Sequence, residues 1–333
     1  MKTIAIAAAI GLALLASAAR AEETTLIFAT INPPNARMNA DYLHPWAERV
    51  NEQGKGVLHI DVRDGTAIAN MGNVYDRVLD DVAQIAFVLH NYVNGKFPLS
   101  TVATLPLADK GEDRSVALWR LYHSGALDAE YDTTMPLMLF GVSQSQVHLA
   151  KPIKSLSELA GMKLITPTKI VADAATALGA TPLSLGSADI YEGLQRGTAA
   201  GAVVGWAAFD AFKLNEVTFY HLDEAMGTSS GMIFMSRKKY NSLPAAARKI
   251  IDDNAGEAAS RAAGAYWDHE NDRVREAIKA SPKQTVVNFP ADQAAEWKAK
   301  MLPMIDSWAK SSPNGEKTLV TYRAMLAQIA AGH

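Results

Sequence analysis

One pattern in the sequence could support covalent chemistry, a G-x-S-x-G motif centred on Ser229. In hydrolases that use this motif, a strand precedes the serine and a helix follows it, because the sharp turn between them exposes the hydroxyl at the edge of a sheet. Here an acidic stretch, residues 223–226, precedes the motif, and a strand-like run, residues 232–236, follows it. The local pattern therefore disfavours a secreted α/β hydrolase acting through Ser229, and we predict no catalytic residue.

Metal and nucleotide chemistry find no support in the spacing of the residues. The eight histidines are scattered, without an H-E-x-x-H pair or a comparable set of ligands. The sequence also lacks the Gly-rich P-loop signature that cradles nucleotide phosphates. We therefore predict no metal site and no cofactor.

The side chains best placed to bind a ligand belong to a parallel α/β unit, residues 161–206. Its apolar runs are short, and its two helical runs end on Gly179 and Gly197, which can adopt the left-handed conformation that follows a helix. The order is strand, helix, strand, helix, strand. Such units bind ligands outside the carboxyl ends of their strands. The residues at these ends are Ile165, Thr166, Gly205 and Trp206.

Aromatic and imidazole side chains extend this candidate site. Trp206 follows a glycine at a strand end, where a ligand can approach the backbone closely, so we interpret Trp206 and Phe209 as a wall facing the ligand. Packing in the core is the alternative for both rings. His90 and His148 lie just beyond strand ends, so we expect them to contact the ligand through neutral hydrogen bonds.

A second unit with the same order of elements occupies the first part of the chain, with strands near residues 25–29, 57–62 and 85–88. Two such units predict an α/β protein of two lobes. Asn32 and Asn35, in the loop after the first strand, are candidates for the ligand site on this lobe.

A long helical pattern follows the two units. It begins after Ser242, which can cap a helix, and no strong stop appears before residue 281. The predicted helix, about 244–280, would have roughly 36 residues and a length of about 54 Å at 1.5 Å per residue. That exceeds the width of a small lobe, so we predict that it spans both lobes, with any bend at Gly256 or Gly264.

The N-terminus and the composition predict export. Residues 1–21 combine a basic start, a short apolar run and the small residues Ala19 and Ala21, which are typical of a cleaved signal peptide. The chain has no cysteine, so disulfides and lipid attachment through a thiol are excluded. Its net charge of −3 at pH 7 argues against nucleic acid as a partner. No later run is apolar enough to predict stable membrane insertion.

These observations predict the following division of the chain. After the signal peptide, residues 22–142 and 229–265 form lobe I, residues 143–228 and 266–333 form lobe II, and the long helix is shared.

The order and wording of several segments resemble the substrate-binding subunits of TRAP transporters, the DctP type. These segments read GMKLITP, ALGATP, YEGLQRG and a strand ending in Gly-Trp, and the resemblance covers about residues 25–310. It implies a bilobal periplasmic binding protein that captures a small organic solute, performs no chemistry on it, and delivers it to a TRAP permease in the membrane. The loop that contains His90 and Tyr92 would line the lobe I side of the cleft. A binding protein for an ABC importer or a sensory kinase is the alternative.

The chain departs from this family at two positions. Most DctP-type receptors have an arginine where Ile165 stands, and its planar fork holds the carboxylate of the solute. Ser145 replaces a second arginine found in sialic-acid receptors. The remaining candidate cations at the cleft are Arg37 and Arg63. Either the solute lacks the usual carboxylate or another group holds it. We expect an organic solute, such as an organic acid, with a more apolar or aromatic body than usual, bound in a pocket that Ile165 and Trp206 make less polar.

Overall fold

The computed structural model describes residues 23–93, 95–185 and 189–333. The predicted signal peptide lies outside these ranges. Within them, no helix is both long enough and apolar enough to cross a bilayer. The strands, in chain order, are β1 (Thr24–Ala29), β2 (Leu58–Arg63), β3 (Ile85–Leu89), β4 (Thr134–Gly141), β5 (Gln146–Leu149), β6 (Lys163–Ile165), β7 (Thr181–Leu183), β8 (Gly201–Val204), β9 (Tyr220–Leu222), β10 (Ser230–Ser236) and β11 (Thr285–Val287).

The helices surround the sheets and connect the parallel strands. A π-helical turn, Asn39–Leu43, leads into the first α-helix, and short 3₁₀ turns follow several strands, including His90–Tyr92 and Trp206–Ala208. The α-helices are α1 (His44–Gly54), α2 (Val74–Leu79), α3 (Gly111–His123), α4 (Lys169–Ala177), α5 (Ile190–Gln195), α6 (Phe209–Phe212), α7 (Arg237–Ser242), α8 (Ala245–Asp253), α9 (Gly256–Lys279), α10 (Ala291–Ser311) and α11 (Gly315–Ala330).

The strands form two sheets, which confirms the predicted bilobal α/β architecture. The first sheet has the order β2-β1-β3-β10-β4, and the second has the order β11-β9-β5-β8-β6-β7. Each sheet is parallel except for one strand, β10 in the first and β5 in the second, which runs antiparallel to both neighbours. The parallel strands β3 and β8 carry buried side chains on both faces, as strands covered on both sides require.

The chain crosses twice between the sheets, and both crossings leave from the carboxyl end of a parallel strand. Residues 142–145 run from the carboxyl end of β4 to β5, and residues 223–229 run from the carboxyl end of β9 to β10. The two segments bond to each other through Val142 N to Ser229 O, Ser145 N to Gly227 O and Met226 N to Ser145 O, each 2.9 Å. Because the crossings are short, the carboxyl ends of the parallel strands in both sheets must face each other across a cleft.

The long helix is the first point on which the sequence prediction was wrong. Instead of one helix over residues 244–280, the structure has α8 and α9, separated at Asn254 and Ala255. Gly256 begins α9 with a φ of 93°, a conformation that L side chains rarely adopt. The carbonyl oxygen freed at Asn254 accepts a hydrogen bond from Trp46 Nε1 over 2.9 Å. A tertiary contact thus stabilises the break that the helical periodicity did not show.

Helix α9 still serves both lobes. Near its start it crosses α3 so closely that a methyl group on Gly264 would lie 2.5 Å from the carbonyl oxygen of Gly111. Near its end, Val274 and Ile278 join the core of the second lobe. Helix α9, with 24 residues, is therefore the predicted helix that contacts both lobes.

The last helix also departs from the predicted division. Residues 266–333 were assigned to lobe II, but α11 packs against α3, and the Tyr322 hydroxyl donates to the Arg114 carbonyl over 3.2 Å. The C-terminal carbonyl at His333 accepts from Arg120 as well. The sequence contains no local signal that shows which lobe this helix covers.

Candidate functional site

The lobe I side of the cleft begins with a strained loop after β1. Ile31 has a φ of 57° although it is β-branched, which is a rare conformation and often marks a functional site. The Asn32 side chain donates to Asn39 Oδ1 over 3.1 Å, and the Asn32 carbonyl accepts from Gly65 N over 2.7 Å. Asn32 is thus fixed at the strand end, whereas Asn35, in the same loop, is exposed.

The two candidate arginines differ in their partners. Arg63, the last residue of β2, donates to Asp61 over 3.0 Å, and its side chain is 57% exposed. Arg37 donates through Nε and Nη2 to the Glu270 carboxylate of α9, over 3.0 and 3.3 Å. Glu270 is only 6% exposed and also binds Arg273. Both arginine side chains are about half exposed, but Arg37 binds the nearly buried Glu270 as well as Asp41, whereas Arg63 binds only the more exposed Asp61.

His90 is a structural residue in this conformation. Its Nδ1 lies 2.9 Å from Ser230 Oγ, and its Nε2 lies 3.1 Å from the Tyr131 hydroxyl. Burial lowers the pKa of His90 to about 3, so the ring is neutral at physiological pH. Both ring nitrogens are occupied within lobe I, while the neighbouring Tyr92 is half exposed.

On the lobe II side, Ile165 ends β6, Thr166 directly follows it, and both are buried. The Thr166 amide donates to the Leu183 carbonyl over 3.0 Å, which ties the end of β6 to β7. The Ile165 side chain belongs to an apolar core that also contains Ile190 and Val204. The end of β6 therefore carries a hydrocarbon side chain that is fully enclosed.

Three further candidates lie together in that core. The ring centroids of His148 and Trp206 are 4.6 Å apart, and that of Phe209 is 5.1 Å from Trp206. His148 contacts His221 through their Nδ1 atoms at 3.0 Å, and burial, reinforced by His221, holds the pKa of His148 well below its ordinary value. Gly205 connects this cluster to the strand end. As ligand contacts, these residues stay a prediction, since their side chains are packed inside the lobe.

The structure adds residues that the sequence did not suggest. The Trp206 indole donates to Asp223 Oδ1 over 3.1 Å, and Arg275 binds the other oxygen of that carboxylate. Asp223 has no motif that would have identified it, because its partners are 17 and 52 residues away.

The G-x-S-x-G segment has the geometry expected from its context. Ser229 lies directly before β10, so a strand follows it where a nucleophile elbow needs a helix. Thr228 donates to the Val142 and Ser143 carbonyls over 3.0 and 2.6 Å. Residues of this motif therefore hold the two crossing segments together by hydrogen bonds. Among the described residues, no group of three or more His, Asp or Glu side chains could hold a metal ion.

A polar groove of about 850 Å³ lies between α9, α10 and the crossing segments, and Asp223 and Arg275 are among the residues that line it. Its walls include Asp109, Glu224, Asp268 and Lys298. None of the residues proposed from the sequence lines it. Burial, together with the nearby Asp109 and Asp223, raises the pKa of Glu224, and Lys298 opposes this effect.

Comparison with known proteins agrees with the fold. Residues 28–311 match the family model described as bacterial extracellular solute-binding protein, family 7 (DctP). An outer membrane transporter protein TsaT of Comamonas testosteroni is 26% identical over 327 residues, covering 95% of this chain and 96% of the relative.

Two solved structures resemble the chain over nearly their whole length. One is a TRAP solute-binding protein from a marine metagenome, described as specific for aromatic acid ligands and co-crystallised with 3-hydroxybenzoate. The other is a TRAP solute-binding protein of Rhodoferax ferrireducens with copurified benzoate. Each is 28% identical, has a TM-score of 0.83, and matches 92% of this chain and 99% of its own.

The family match spans both lobes and the helix between them, and the described residues carry no catalytic arrangement at Ser229. The chain belongs to the family 7 bacterial extracellular solute-binding proteins and is a substrate-binding subunit of the TRAP type.

Proposed function

We propose that this receptor captures an aromatic monocarboxylate, of the size of benzoate or hydroxybenzoate, between the carboxyl ends of its two sheets. The observation that carries the proposal is the similarity, over nearly the full length, to two receptors whose structures contain 3-hydroxybenzoate and benzoate. Ile165 supports it, because the end of β6 offers no cation for a second charged group on the solute. The family performs solute capture, and the receptor is not an enzyme.

Arg63 is the best candidate for holding the carboxylate. It ends β2 at the edge that faces the cleft, and its contact with Asp61 is exposed. Exposed ion pairs contribute about 0 to 1 kcal/mol, so exchanging Asp61 for the solute carboxylate would cost little. Releasing Arg37 would instead remove one of the partners of Glu270, which is nearly buried. The planar guanidinium of Arg63 can then bind both carboxylate oxygens.

Calorimetric titration of the protein with benzoate, 3-hydroxybenzoate and succinate tests this proposal. We expect the aromatic acids to bind at least 100-fold more tightly than succinate, and Arg63→Ala to weaken benzoate binding about tenfold, or about 1.4 kcal/mol. Arg196→Ala is the control, since Arg196 also makes an exposed pair, with Glu192 on α5, away from the ends of the parallel strands. Tight binding of succinate without binding of benzoate would contradict the aromatic solute. Unchanged benzoate binding in Arg63→Ala and Arg37→Ala would contradict the arginine role.

The receptor works in the periplasm and delivers its solute to the membrane subunits of a TRAP permease. TRAP receptors act with such permeases, and the small residues Ala19 and Ala21 mark a cleavage site for export. Intact-mass spectrometry of protein exported in a Gram-negative host should therefore show a chain that begins at or near Glu22. Full-length chain retained in the membrane fraction would be evidence against cleavage.

A further inference from the structure

A line of polar contacts joins the end of β8 to the interlobe helix α9. The Trp206 indole donates to one oxygen of Asp223, over 3.1 Å. The other oxygen accepts hydrogen bonds from Arg275 of α9. Asp223 itself stands directly after β9, at the start of a crossing segment. Three parts of lobe II therefore meet at this one carboxylate.

Asp223 is well shielded from water, with 6% of its side chain exposed. Charge-assisted hydrogen bonds in such a place are stronger than neutral ones, and the loss of one partner leaves the other charge unpaired. The Trp206 ring is fully buried between His148 and Phe209. Packing and the hydrogen bond to Asp223 together fix the orientation of the Trp206 indole ring.

Helix α9 connects this point to the other lobe. The Asp268 carboxylate accepts from the amides of Gly111 and Glu112 at the start of α3, over 2.7 and 2.9 Å. Glu270 binds Arg37 of lobe I. One turn further on, Arg273 donates to Asp210, over 2.7 Å, and Asp210 lies in the segment after Trp206. Within two turns, α9 is bonded to lobe I and to the segment that follows β8.

We propose that Asp223 is a positioning residue for solute capture. Held by Arg275, it fixes Trp206 and the segment after β8 that forms the lobe II wall of the cleft. The proposal rests on the function proposed above, in which the solute lies between the carboxyl ends of the two sheets, where the segment after β8 begins. A wall fixed before binding loses less conformational freedom when the solute arrives, so loosening it weakens binding. Because α9 is also bonded to lobe I, the same contact links the wall to lobe closure.

A double-mutant cycle with benzoate as the probe tests the link between Asp223 and Trp206. We expect Asp223→Ala and Trp206→Phe each to weaken benzoate binding about tenfold. The double variant should bind benzoate as tightly as the single variant with the lower affinity, because both changes remove the same contact. Asp223→Asn should be intermediate, since its amide oxygen still accepts from the indole but carries no charge for Arg275. Asp173→Ala is the matched control, with a carboxylate that pairs with Lys169 on the surface of the same lobe.

Fluorine NMR of protein labelled with 5-fluorotryptophan gives a second readout without any solute. The Trp206 signal is the one that Trp206→Phe removes, and it should shift in Asp223→Ala but not in Asp173→Ala. An unmoved signal, unchanged benzoate affinity in Asp223→Ala, or additive losses in the double variant would overturn the positioning role. If the wild type binds no benzoate, the proposed solute is wrong, and the NMR signal alone decides for or against Asp223.

Discussion

Gly264→Ala is expected to lower the free energy of unfolding by about 2 kcal/mol. The added methyl group would lie 2.5 Å from the Gly111 carbonyl oxygen, 2.5 Å from Ser115 Oγ and 2.7 Å from Glu112 Cα. Two of these are backbone atoms of α3, so the helices must separate, and overpacking of this kind costs about 3 kcal/mol. The better helix propensity of alanine offsets about 1 kcal/mol of that cost.

Differential scanning calorimetry measures this effect as a lower Tm, by about 2 to 4 °C for each kcal/mol in a protein of this size. Gly72→Ala is the matched control, because it makes the same chemical change in an exposed turn where the nearest atom is 3.4 Å away. Equal Tm values for the two variants would show that α3 and α9 do not pack closely in solution. Because α9 serves both lobes, Gly264→Ala should also weaken solute binding, whereas Gly72→Ala should not.

The α/β units were predictable because the residues that end their helices act locally. Gly179 and Gly197, chosen from the sequence as helix ends, follow α4 and α5 with φ values of 83° and 70°. The short apolar runs before, between and after these two helices form β6, β7 and β8. Turn and cap chemistry depends on neighbouring residues alone, so a single sequence contains it.

The break between α8 and α9 and the packing of α11 depend on distant residues. The Trp46 indole donates to the Asn254 carbonyl, 208 positions later in the chain. The Tyr322 hydroxyl donates to the Arg114 carbonyl across the same sequence separation. Helical periodicity reports which face of a helix is buried, but it does not report what buries it. For the same reason the sequence suggested a bend at Gly256 and missed the break.

The candidate site was predicted at the level of strand ends, not of contacts. The topology places Ile165, Thr166 and Gly205 at the edge that faces lobe I, as expected from parallel strands. The sequence did not show that Trp206 would be enclosed and bonded to Asp223, or that Arg37 would pair with Glu270, 233 positions away. Such pairings are set by tertiary structure, and a lone arginine carries no information about its partner.

The departure from the family at Ile165 leads to the second large expected effect. Ile165→Arg should lower the free energy of unfolding of the solute-free protein by about 3 kcal/mol or more, because an arginine replaces a side chain with no exposed surface. Space is limited as well, since a methyl group placed on Gly193 would already lie 3.4 Å from Ile165 Cδ1. Ile165→Met is the matched control; it keeps an apolar side chain of similar volume and should cost less than about 1.5 kcal/mol.

The same variant tests whether a cation at position 165 could reach a solute in the cleft. Ile165 is the last residue of β6, so the guanidinium of Ile165→Arg can escape the core only by extending past the strand end into the cleft. There a solute carboxylate would pair with it, so benzoate should raise the Tm of Ile165→Arg by more than it raises that of the wild type. Thermal unfolding with and without benzoate measures both parts. If Ile165→Arg is as stable as Ile165→Met without solute, position 165 already opens to the cleft, and the enclosed environment described for Ile165 does not hold in solution.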